Sequence, residues 1–134
     1  MSHLRILLSI LSTLISVSAF AVEVGKDVDL DSCRTRSHSP DPQFRKDWQN
    51  KRIAACNRVL SRNDKIALEA RLEATEHRGQ AFIDTGDFAA AIKDFTQIVK
   101  QRPNSDIFTS RAMAFEEMSD FAAALADYSQ AIQL

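Results

Sequence analysis

Apolar positions in the second half of the chain recur at alternating spacings of four and three. Leu68, Leu72, Thr75, Gly79 and Phe82 fall on one face of a helix, which the pattern predicts over residues 65–84. Gly86-Asp87 ends it. Residues 88–102 form a second amphipathic run with Ile92, Phe95 and Val99 inward, and Pro103-Asn104 breaks it. Residues 106–118, a turn at Ser119-Asp120 and residues 121–134 make a third unit. Upstream, Asp41-Pro42 reads as a cap followed by proline at the first helical position. Phe44, Trp48, Ala55 and Val59 then lie near one stripe, with a break expected near residues 49–51 and Asn63-Asp64 as a stop and a new cap. Every apolar pattern has the helical period. The expected class is all-α, with antiparallel helix pairs stacked as a short solenoid.

The stacking follows from repetition. GDFAAAIKDFTQIVK is echoed 33 residues later by SDFAAALADYSQAIQL, so Asp87 matches Asp120, Phe88 Phe121, Asp94 Asp127 and Phe95 Tyr128. A unit of this size cannot bury its own apolar face and must lie against a neighbour.

Residues 1–21 read as a signal peptide: Arg5 supplies the positive start, an apolar run follows, and Ala19-Phe20-Ala21 puts small residues before a cut at Val22. The run is short for about 30 Å of hydrocarbon, and its hydroxyl side chains argue against a membrane anchor. The chain is therefore expected to be periplasmic or secreted and not membrane-embedded. Residues 22–42 are polar and read as an irregular arm pinned at Cys33, and residues 43–134 as the helical domain, divided at 43–62, 65–104 and 105–134. From Val22 onward there are 16 basic and 18 acidic side chains, which gives no pull toward nucleic acid. Two cysteines in an exported domain most simply pair, Cys33 with Cys56. The rival is a metal site with His38, which lacks close-spaced ligand pairs.

The second-half units resemble the tetratricopeptide repeat. The residues that carry the likeness are Gly79, Phe82, Gly86-Asp87-Phe88, Ala91, Phe95, Ile98 and Pro103. In the next unit they are Phe108, Ala112, Phe115, Ser119-Asp120-Phe121, Ala124, Tyr128 and Ala131. Thr75 and Arg78 depart from it, standing where an aromatic and an aliphatic residue are usual. Residues 52–60 resemble the second helix of a degenerate earlier unit, with Cys56 in the place of Phe95 and Tyr128. The whole arrangement looks like small exported repeat proteins of proteobacteria.

The resemblance implies a scaffold that binds a protein segment along the inner faces of the first helices. Those positions are Glu73, Glu76, Gln80, Ile83 and Asp84, then Asp106, Thr109, Met113, Glu116 and Glu117. Six of the ten are acidic and none is basic, which favours a basic or basic/apolar segment over a carboxylate. The plainer reading is a solvated helix face whose carboxylates pair locally with Arg78, Lys93 and Arg111. A second expected contact surface is the Leu134 end, where Leu125, Tyr128 and Ile132 would serve self-association, the docking of another protein, or the next unit of a longer array.

Catalysis has little support. Asp84-Thr85-Gly86 spells an aspartic-protease triplet, but in a helical turn and without a partner loop. Three glycines leave no phosphate loop. His77 reads as a half-buried or exposed helix residue, and Trp48 as a core anchor. An enzyme would need His38 to join the repeat carboxylates. No cofactor and no metal are expected.

Overall fold

Capping side chains set most of the helix starts. The computed structural model describes residues 27–62 and 66–134. The leader expected over residues 1–21 lies outside the described residues, as do Asn63 and Asp64. Among the described residues six helices follow one another: α1 Val28–Arg34, α2 Pro42–Leu60, α3 Leu68–Thr85, α4 Phe88–Val99, α5 Ser105–Glu117 and α6 Phe121–Gln133. No strand occurs among the described residues. Asp41 accepts from the Gln43 and Phe44 amides at 2.8 and 3.2 Å, with Pro42 at the first helical position. Asp87, Asn104 and Asp120 cap α4, α5 and α6 in the same way.

The turns inside the two repeats are also alike. Gly86 takes a left-handed φ of 84°, and its amide and that of Asp87 reach the carbonyls of Ile83 and Phe82. Ser119, 33 residues on, takes a left-handed φ of 62° and makes the equivalent bonds.

Two expectations are corrected here. Residues 22–42 are not irregular throughout, because α1 forms within them. Asp27 caps it by accepting from Leu30, and Leu30 and Cys33, three apart, turn toward α2 and α3. Nor does α2 break at residues 49–51. Gln49, within the expected break, and Arg52, just after it, are buried, with Gln49 Nε2 donating to Asp84 at 2.9 Å and Arg52 Nε to the Cys33 carbonyl at 2.8 Å.

Consecutive helices pack against each other along the chain. One apolar cluster joins Leu72, Ala91, Phe95, Ile98, Ile107 and Ala114 of α3, α4 and α5. The other joins Cys33, Ala55, Cys56, Val59 and Ala74 of α1, α2 and α3. Cys33 and Cys56 form a fully buried disulfide. Both thiolates are thereby withdrawn from the rival metal site with His38. Where the next unit fills the gap with Phe95, this one fills it with a disulfide.

Small residues let the helices close up. A Cβ on Gly79 would stand 2.9 Å from the ring of Phe95. The predicted stripes fade at their ends: Phe44 and Leu68 are about half exposed, and Trp48 is half buried, stacked on Phe44.

Candidate functional site

A pair of repeated ion pairs sets the spacing of the first helices. Arg78 of α3 makes a two-pronged contact to Asp94 of α4, at 2.8 and 2.7 Å, and donates to Asn57 of α2 at 2.6 Å. Thirty-three residues on, Arg111 of α5 grips Asp127 of α6 at 2.7 Å twice and donates to Thr96 of α4 at 3.0 Å. Each arginine thus ties its own helix pair together and bonds back to the preceding one. Arg78 also lies over Phe82, and Arg111 over Phe115. Of the partners expected from sequence for the groove carboxylates, Arg78, Lys93 and Arg111, the two arginines are therefore committed elsewhere. The repeat alignment of Asp94 with Asp127 carried the signal, and both aspartates are buried.

The inner-face residues fall into three groups. Glu76, Gln80 and Asp106 line a cleft of about 210 Å³ with Arg34, Arg36, Arg52, His77, Phe95, Ile107 and Ser110. Glu73 and Asp84 stand behind it as anchors for the arm. Arg34 clamps Glu73 at 2.5 and 2.6 Å, and Arg36 reaches Asp84 at 3.5 Å. The rest lie apart from the cleft. Ile83 packs on the apolar cluster. Thr109 bonds back to the Ser105 carbonyl, Glu116 accepts from the Tyr128 hydroxyl, and Met113 and Glu117 are exposed.

The three arginines of the cleft were invisible as site residues in the sequence. They come from α1, the segment after it and α2, and only the tertiary position of the arm brings them there. No local pattern marks them.

The electrostatics follow the contacts. The Arg34 hydrogen bond holds the Glu73 carboxyl below the usual carboxylate range, against the opposing effect of burial. Burial, then the neighbouring charge of Arg52, holds His77 below its ordinary value, with Glu73 and Glu76 opposing. A neutral His77 accepts at Nδ1 from Arg52, 3.1 Å away, which leaves its proton on Nε2 facing Glu73 at 3.6 Å. Burial and the nearby Arg36 charge lower the pKa of Arg52. Gln80 and Ser110 make no side-chain hydrogen bond within the described residues, so an amide and a hydroxyl stand open in the cleft.

A larger cleft, of about 580 Å³, lies between α1 and α2, walled by Val28, Trp48, Ala54 and Ala55 among others. The Trp48 indole N–H is buried there with no hydrogen-bond partner among the described residues. A bound molecule would have to displace protein atoms to reach it. The smaller cleft combines unengaged hydrogen-bonding groups with charges of both signs, and is the better recognition site.

A family model described as tetratricopeptide repeat matches residues 53–106 and 76–134. The chain belongs to the tetratricopeptide repeat family. The match starts within α2, so this helix is part of the repeat array while α1 lies before it. No curated protein and no solved structure matches. Tetratricopeptide repeats generally mediate contacts between proteins, and the cleft lies on the first helices of the two units, α3 and α5. No described helix is long and apolar enough to cross a membrane.

Proposed function

We propose that the chain is a protein-binding module that holds an extended segment of another protein along α3 and α5. The observation that carries this reading is the cleft where these helices meet, with Gln80 and Ser110 unengaged and Asp106 exposed at one end. Backbone amides and carbonyls of an extended chain are matched by such side chains. Asp106 at the cleft, with Met113 and Glu117 exposed further along α5, favours a basic and apolar stretch that runs on past the cleft. We also propose that the protein is exported and cut before Val22, which the apolar start of the chain and the buried disulfide support. The mass of the protein recovered from its producing cell tests the cut.

Selection of peptides from a random display library on the oxidised protein tests the module. Glu116 is held by Tyr128, so the informative variant reverses Asp106 and Glu117 to Lys. The expected result is enrichment of segments with Lys or Arg beside apolar residues, which bind about tenfold more weakly to the variant. Peptides that bind the variant equally well would sink the reading.

A further inference from the structure

Arg52 is the least compensated charge in the described structure. It is 3% exposed, yet no carboxylate lies within ion-pair distance of it among the described residues. Its partners are the Cys33 carbonyl at 2.8 Å, the Gln49 side chain at 3.5 Å and the His77 ring at 3.1 Å. These use three of the five N–H groups of a guanidinium. Asp84 favours the Arg52 charge only from beyond ion-pair distance; a buried cation without a direct counter-ion is costly, and a fold that retains one gains from a ligand that supplies the anion.

Arg36 stands beside it on the cleft wall and is similarly under-used. Among the described residues its one hydrogen-bonded ion pair is to Asp84 at 3.5 Å, and that same oxygen already accepts from Gln49 at 2.9 Å. Arg34 differs, because Glu73 satisfies it with two short bonds. The Cys33–Cys56 disulfide, three residues before Arg36, fixes the arm against α2 and so holds two like charges on one wall.

We propose that Arg36 and Arg52 form a subsite for a side-chain carboxylate of the bound segment, which sets the direction in which that segment lies. The carboxylate sits toward α1 and α2, and the basic stretch toward Asp106 on α5. This rests on the segment-binding reading and sharpens it: the partner carries charges of opposite sign, in a fixed order. A single carboxylate matches the subsite because Asp84 and Glu76 are already close by, and a doubly charged anion would meet them.

Three peptides of Ala, Leu, Ser and Lys, blocked at both ends, test it: one without Glu, one with Glu at its amino end and one with Glu at its carboxyl end. Affinity is read by fluorescence anisotropy on the oxidised protein, with the side-chain N–H signals of Arg36 and Arg52 followed by NMR. One Glu peptide, and only one, should bind about tenfold tighter than the Lys-only peptide and shift both arginine signals. Arg36→Gln, at a half-exposed position, should remove that gain, while Lys93→Gln, which deletes the same charge elsewhere on the surface, should keep it. Equal binding of all three peptides, equal gains from both Glu placements, or a gain that survives Arg36→Gln would each overturn the subsite while leaving the module reading intact. Absence of binding by every peptide would overturn the module reading, and the subsite with it.

Discussion

Removing one half of a repeated ion pair should loosen the array more than any surface change. Asp94 is the sharper choice, since its side chain is 3% exposed and that of Arg78 20%. Asp94→Ala leaves the Arg78 guanidinium with the Asn57 hydrogen bond and the Phe82 ring, and no carboxylate partner among the described residues. Breaking a buried pair by deleting one partner costs about 3–5 kcal/mol. Because Arg78 still reaches water, the lower end, about 3 kcal/mol, is expected. With a urea slope of about 1–3 kcal/mol per molar, the midpoint should fall by about 1–3 M. Domains of this kind are stable by about 5–15 kcal/mol in total, so the variant should remain measurable.

The double variant Arg78→Leu, Asp94→Ala makes the test strict. An aliphatic residue is usual at the Arg78 position in the repeats this chain resembles, so the pair should be replaceable by apolar packing. The double variant should therefore recover most of the loss, to within about 1 kcal/mol of the parent. Urea titrations of all four proteins close the cycle. A cost below about 1 kcal/mol for Asp94→Ala, or a double-variant cost equal to the sum of the singles, would refute the claim that the pair locks successive units.

Other substitutions probe the repeat geometry and its charges. Ser119→Gly should stabilise by about 1 kcal/mol, since Ser119 holds a left-handed φ of 62° where the other unit has Gly86; thermal melting checks the sign. Gly79→Ala gains about 1 kcal/mol of helix propensity but drives a methyl to 2.9 Å from the buried Phe95 ring, which costs about 1–3 kcal/mol; a denaturation midpoint above the parent's would contradict that contact. His77 has a folded pKa below its ordinary 6.5, so the unfolded chain takes up its proton first as the pH falls. Its contribution is complete above pH 6.5 and is lost as pH drops through the folded value, and stability curves of His77→Gln should lack that slope.

The helices were legible because each carried redundant signals. The α4 start, for example, had an aspartate cap, a preceding glycine and an apolar period that agreed. The α1 helix was missed because its 7 residues offer too few periods to detect, and its stability comes from the disulfide and from packing on α2 and α3. The continuity of α2 was missed for a related reason: Gln49 and Arg52 are polar residues buried by partners that are far away in sequence. The positions of the first-helix faces were readable from the 33-residue repeat. Their charge was not, since Arg34 and Arg36 of the cleft wall come from an arm that has no counterpart in the repeat, and Arg52 from the helix that the arm packs on. Two of the six acidic positions, Glu73 and Asp84, turn out to hold that arm in place.

The first and the last described helices are covered differently, and the difference predicts where mutations are tolerated. At the amino end, α1 covers α2 and α3 through the disulfide and Leu30. At the other end, Phe121, Leu125 and Ile132 stand 33 residues after Phe88, Ile92 and Val99, which pack on the central apolar cluster. Leu125 and Ile132 are instead 68% and 86% exposed, and the one charged side chain of α6, Asp127, is taken by Arg111. Equivalent substitutions at the two sets should therefore part company. Ile92→Gln should cost about 1–3 kcal/mol, because a buried amide loses water without gaining a partner. Leu125→Gln should stay within about 0.5 kcal/mol of the parent, as surface changes do. Melting the pair at several protein concentrations measures both. A Leu125→Gln loss as large as that of Ile92→Gln, growing with concentration, would mean that another molecule covers the α6 face in solution, and that the exposed stripe is an interface between chains.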